Sequence, residues 1–179
     1  MKRYLGGALV VLTLAAAQTY PVAAQDAPPP AALQPPPGNV FVYSMRADGD
    51  RIYVCEAGAG GDYAWASRGP DATLQNRLGE PVGRYTAGPT WSASDGSSMR
   101  GEVRQSVEGP RRRATPWLLF EISSRGGSGI FSSVTYVQEV QTIGGLPPGE
   151  PCTQSQSGQE RRVDFNALYN FFIPSGSTS

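Results

Sequence analysis

The chain contains no histidine, and its one lysine is Lys2. Without imidazole there is no Ser-His-Asp triad, no Cys-His pair and no His-ligated zinc; without a later lysine there is no Schiff base. Cysteine is nearly as scarce, with only Cys55 and Cys152. In an exported chain an even count this small predicts one disulfide. The alternative is two free thiols, with neither histidine nor lysine at hand to activate a thiolate. Charged residues make up 17% of the chain and balance to a formal net charge of zero. No metal and no cofactor is expected. The "RADGDR" stretch offers only Asp48 and Asp50, which suits a turn better than a calcium loop.

Long apolar runs are also missing, apart from Leu5–Ala17 behind Met1-Lys2-Arg3. That run is short of the roughly 20 residues a membrane-spanning helix needs. It ends at Val22-Ala23-Ala24, a small-x-small pattern, so residues 1–24 read as a secretory signal peptide. No cysteine follows to carry a lipid, and no twin-arginine pair precedes the run. The expected destination is the periplasm or the extracellular space, and no membrane span is expected. An Ala-, Gly-, Pro- and Arg-rich composition favours a bacterial envelope. Without Lys2 and Arg3 the basic count falls from 15 to 13 against 15 acidic residues, a net charge of −2. Nucleic acid is therefore not an expected partner, and Arg111-Arg112-Arg113 reads as a solvated loop.

Residues 25–38, "QDAPPPAALQPPPG", form a proline-rich leader expected to be extended and coreless. Residues 39–174 are one domain, and 175–179 a polar tail. Strand signals dominate the domain. "VFVYSMR" and "RIYVCEA" flank Asp48-Gly49 and predict a first hairpin there. "DYAWASR" alternates, with Tyr63 and Trp65 on one face. "PWLLFEISS" puts Leu118, Phe120 and Ile122 on one face, and "IFSSVTYVQEVQTI" is rich in β-branched residues. In "RVDFNALYNFFI", Val163, Phe165, Ala167, Tyr169, Phe171 and Ile173 recur at period two, which a helix would not keep on one side. The prediction is all-β: an antiparallel barrel or sandwich of about 8–10 strands. A membrane barrel would show aromatic girdles on strands of about ten residues throughout, which several short segments here cannot supply.

Residues 83–105 are expected to form a hairpin around "AGPTWSASDGSSMRG". A two-residue Asp95-Gly96 loop would set Trp91 opposite Arg100 and split the apolar residues between faces. A loop centred one residue later would set Trp91 opposite Gly101. A three-residue loop, Ser94-Asp95-Gly96, sets Trp91 opposite Met99 and Ala87 opposite Val103, with Arg100, Glu102 and Arg104 on the other side. It also gives glycine the left-handed position. Pro89 lacks an N–H and should sit at an edge or bulge.

Few segments suggest chemistry. "IYVCEAGAGGDY" imitates a dinucleotide loop, but Tyr63 stands where the third glycine belongs and a strand pattern follows, so it reads as a hairpin turn. Paired carboxylates are the remaining acid–base route. Glu56, Asp71, Asp95, Glu102, Glu121 and Glu139 are available, but solvent-facing charges alternating with core residues on a sheet are the simpler reading. Trp65, Trp91, Trp117, Tyr136 and Gln138 are the candidate ligand-binding residues, a platform or pocket for a sugar or small apolar molecule. Gln141 and the tyrosines Tyr63 and Tyr85 extend that set.

The ordered segments "RIYVCEA", "YAW", "PDATL", "GPTWSASDGSSMRG", "ATPWLLFEISS", "GIFSSVTYVQEVQTIGG" and "PPGEPC" give the chain a family likeness. It resembles a family of exported bacterial and fungal proteins catalogued as domain of unknown function 3455. The resemblance implies an exported domain and one disulfide between the two cysteines. It brings no activity and no catalytic residue. The functional expectation is non-catalytic binding of a small ligand, sugar or envelope surface; the alternative is a hydrolase using two carboxylates.

Overall fold

The computed structural model describes residues 28–177, so the expected signal peptide lies outside the described residues. Eight antiparallel strands close into one barrel in sequence order. They are β1 (Asn39–Ala57), β2 (Tyr63–Gln75), β3 (Pro81–Thr86), β4 (Thr90–Ala93), β5 (Ser98–Val107), β6 (Trp117–Gly126), β7 (Tyr136–Gly144) and β8 (Glu160–Pro174). The seam joins the first strand to the last, from Asn39 opposite Pro174 to Val54 opposite Glu160. Of the two predicted architectures, the barrel is the one formed. No helix among the described residues is long and apolar enough to cross a membrane.

Period-two alternation decides what lies inside. Phe165, Ala167, Tyr169, Phe171 and Ile173 of β8 are all buried, while Asn166, Leu168 and Asn170 between them are only half-buried. From β6, Leu118, Phe120 and Ile122 reach the same core. Trp91 stacks on Tyr85 with centroids 4.9 Å apart and meets Phe120 edge-on at 5.2 Å. Tyr169 packs against both Tyr85 and Trp91. The middle of the barrel is thus filled with side chains.

The predicted hairpin at Asp48-Gly49 does not form. β1 runs straight through it, and Gly49 pairs with Ala72 on one side and Phe165 on the other. Gly49 serves a close approach instead: a Cβ there would lie 2.6 Å from Ala72 Cα. The first hairpin turns at residues 58–62, the glycine run that imitates a dinucleotide loop. Gly61 takes φ 85° there, and Gly58 N–H donates to Asp62 O at 2.8 Å.

The second hairpin is right at its tip and wrong at its base. Trp91 pairs with Met99, Ala93 N–H donates to Ser97 O at 2.8 Å, and Gly96 has φ 90°. Ala87 does not face Val103, however. The chain turns at residues 87–89 between β3 and β4, with Gly88 at φ 71° and Pro89 in the turn; Val103 pairs with Phe120. Replacing Gly96 with alanine tests the tip. Nothing lies within 4 Å of the added Cβ, so the cost is conformational alone, about 1 kcal/mol. The thermal midpoint of Gly96→Ala is expected to fall by roughly 2–4 °C.

The leader differs from an extended, coreless segment. Ala31–Leu33 forms one 3-10 turn, and Leu33 is fully buried against Trp117, Leu119 and Val140 on the outer wall. That wall is apolar at those positions, so a leucine brought there by the chain covers it.

Cys55 and Cys152 form a disulfide across a sequence separation of 97. It ties β1 to the segment that precedes β8.

Candidate functional site

The five residues singled out for ligand binding fall in three places. Trp91 is in the barrel core with no exposure. Trp117, Tyr136 and Gln138 lie on the outer wall formed by β6 and β7. Trp117 and Gln138 are buried there beneath the leader turn; Gln138 Nε2 donates to Leu33 O at 2.7 Å. Gln138 Oε1 accepts from Asn170 Nδ2 at 3.2 Å, and Asn170 Oδ1 accepts from Ser44 Oγ at 2.7 Å. This chain of bonds runs across β7, β8 and β1 and fastens the leader. Trp65 sits apart, opposite Cys55, where its Nε1 donates to Glu150 O at 2.9 Å and the Arg161 guanidinium stands 5.6 Å from its ring. The structure brings together Trp117, Tyr136 and Gln138, and separates them from Trp65 and Trp91.

Apart from Glu102 and Glu121, the candidate carboxylates are dispersed as well. Glu102 and Glu121 are cross-strand neighbours, with Arg104 Nε 2.5 Å from Glu121. Glu56 pairs with Arg68, and Asp71 with Arg84 and Arg162. The Arg162 hydrogen bond holds Asp71 below the usual carboxylate range. Asp95 caps its own turn. Its Oδ1 accepts from Ser97 N and Oγ at 2.8 and 2.6 Å, and its Oδ2 accepts from Ile130 N at 2.8 Å. Those bonds, from Ser97 first, hold its carboxyl low.

Glu139 does not share the outer face with Glu102 and Glu121. It points into the barrel with no exposure, 2.7 Å from Arg51 Nη2, and accepts a 2.9 Å hydrogen bond from Tyr169 Oη. Burial pushes its carboxyl above the usual range; Arg51 and Tyr169 pull it back without cancelling. Burial, and then the Glu139 charge, raise Tyr169 and Tyr85 likewise. Arg51 also lies 4.5 Å over the Phe165 ring. Tyr53, on the same face, donates to Gly145 O at 2.6 Å. This cluster is largely enclosed by the barrel, with the Arg51 side chain 15% exposed and that of Glu139 not at all. Among the described residues, no three His, Cys, Asp or Glu side chains gather so as to hold a metal ion.

An open concavity lies elsewhere. A cleft of about 610 Å³ opens at the barrel end that carries the 76–80 and 127–135 loops. Phe41, Val42, Tyr43, Met45, Val82, Leu78 and Ile130 line it, with Ser44, Asn76 and Arg77 as its polar lining. Leu78 is 82% exposed, Phe41 49% and Ile130 42%. Local structure explains why they stay open. Asn76 Oδ1 accepts from Leu78 N at 2.9 Å and from Glu80 N at 3.0 Å, closing a tight turn that holds Leu78 at its tip. Phe41 sits where the β1–β8 register shifts. Ile130 is held from behind by Asp95 and from the side by Tyr43, whose Oη donates to Ile130 O at 2.6 Å. Sequence reasoning missed this site. Its lining comes from single apolar residues beside turn signals, such as Leu78 in "QNRLGE", with no periodicity to mark them.

The model of the family described as protein of unknown function (DUF3455) matches residues 36–173. The chain belongs to that family. Its matched span runs from three residues before β1 to within one residue of the end of β8, so this DUF3455 domain is the closed barrel itself. No curated protein and no solved structure matches the chain.

Proposed function

We propose that this DUF3455 protein is an exported, non-catalytic binding barrel that takes the apolar part of a small molecule at its open end. The observation that carries the reading is the cleft between Phe41, Tyr43, Leu78, Val82 and Ile130. Small-molecule sites are typically concave, mostly apolar and roughly 300–1,000 Å³, and this cleft fits that range. Its lining includes no aspartate or glutamate, which favours binding over two-carboxylate hydrolysis. Asn76 and Arg77 at the rim supply orientation for a polar head. Export is supported by the disulfide, a bond that persists in oxidising compartments, and by the signal-peptide pattern of residues 1–24.

Fluorescence titration with an apolar dye, followed by displacement with a medium-chain fatty acid, tests the reading. Saturable binding of one dye per chain is expected. Leu78→Asp changes a side chain already 82% exposed, so the fold should be untouched. Losing the burial of one leucine against ligand is worth about 2 kcal/mol, or roughly thirtyfold in affinity. Unchanged affinity in Leu78→Asp would reject the site.

A further inference from the structure

A second cleft, about 230 Å³, opens on the outer wall across β2, β1, β8 and β7. It shares no lining residue with the barrel-end cleft. Arg46, Asp48, Gln75, Gln141 and Asn166 line it, with Ile143 beside them. Their neighbours on the same strands, Ser44, Asn170 and Gln138, are bonded to one another. These five side chains, by contrast, make no hydrogen bond or ion pair to protein among the described residues.

One of them is held there at a cost. Gln141 has φ 52°, a left-handed conformation unusual for a non-glycine residue. It is part of a bulge, where Val140 pairs with Leu168 but Ile143 pairs with Asn166. The extra residue changes the alternation. Val137 and Glu139 face inward before it, and Thr142 is buried after it, with its Oγ1 donating to Thr115 O at 2.5 Å. Without the bulge, Gln141 would continue the inward series. Bulges re-aim single side chains in this way beside functional sites.

The set of groups selects a ligand. Arg46 only donates, Asp48 only accepts, and the three amides do both. A hydroxyl group also donates and accepts at once. An anion would face Asp48, a cation would face Arg46, and a hydrocarbon would strip water from five polar groups without replacing it. Ile143, 45% exposed, offers an apolar surface for a C–H face. We propose that this cleft binds a neutral, polyhydroxylated ring, a single sugar unit held by Arg46, Asp48, Gln75, Gln141 and Asn166. The proposal stands independently of the barrel-end reading.

Saturation-transfer NMR of the disulfide-bonded chain tests it with glucose, galactose, mannose and N-acetylglucosamine as probes. At least one should give a saturable signal. Gln141→Gly removes the amide and relieves the left-handed backbone. It should raise the unfolding midpoint while weakening sugar binding by about tenfold or more. Arg46→Ala should weaken binding similarly, and Val103→Ser, at a 49% exposed position that lines neither cleft, should leave it unchanged. The proposal is overturned if no sugar gives a saturable signal. It is also overturned if binding survives both Gln141→Gly and Arg46→Ala, or if it is lost in Val103→Ser.

Discussion

Replacing both Cys55 and Cys152 with serine is expected to lower stability by about 4–5 kcal/mol, the chain-entropy value for a loop of roughly 100 residues. The loop here spans 97 residues and takes in β2 through β7. For a domain of this size the thermal midpoint should fall on the order of 15 °C. The segment before β8 explains why the effect is large. Residues 145–153 contain no strand, and their described ties to the barrel are few, among them Trp65 Nε1 to Glu150 O and Tyr53 Oη to Gly145 O. Urea unfolding of oxidised protein against the double serine variant measures the difference. A change below about 1 kcal/mol, the scale of one ordinary hydrogen bond, would show that the bond adds little to the closed barrel.

Arg51→Met is expected to destabilise the protein by about 3–5 kcal/mol near neutral pH, because it strands Glu139 as an uncompensated buried charge. Glu139 has no exposed surface, and Tyr169 is its other close partner. Replacing both members, as Arg51→Met with Glu139→Leu, should recover most of the loss, since an apolar pair needs no desolvated charge. The pH dependence carries the sign. Burial raises the folded-state value of Glu139 above its ordinary 4.5, so the folded state binds this proton more tightly than the unfolded one. Its stabilising contribution is complete below the ordinary carboxylate range and is lost as pH rises through the raised value. Asp71 and Asp95, held low, act in the opposite sense and lose their contribution as pH falls. Subtracting the pH–stability curve of Glu139→Gln from that of the parent isolates the Glu139 component. A difference curve that rises with pH would overturn this assignment. The Arg51→Met deficit should shrink toward acid pH, where protonated Glu139 needs no cation.

Much of the fold was legible because alternation is a direct consequence of the pleat. The inward series of β8 and the Leu118, Phe120 and Ile122 face of β6 follow from it, as does the Trp91–Met99 register. Glycine was the harder letter to read. Gly49 and Gly96 follow aspartates in the sequence, yet Gly96 makes a turn and Gly49 permits a close crossing of strands. Only the neighbouring strand distinguishes them. Aromatic residues misled the site reading for a related reason. Trp91 and Trp117 carry the same sequence signal whether they fill a core, pack under a leader or line a pocket. The residues of the barrel-end cleft have no shared local pattern, because they come from β1, the β2–β3 turn, β3 and the loop before β7. Glu139 looked like a surface charge because its cation, Arg51, lies 88 positions earlier.

The seam between β1 and β8 sets an order on folding. Asn39 cannot find Pro174, nor Met45 find Tyr169, until the last strand has been synthesised. Every hairpin from β1–β2 to β6–β7 can form earlier from neighbours in sequence, but each leaves an open sheet with two bare edges. Contacts of such long sequence separation make folding slow. Tyr169 and Phe171, which complete the aromatic core, arrive with the same strand. The nascent chain therefore cannot close its barrel, or complete its aromatic core, until nearly its whole length is available.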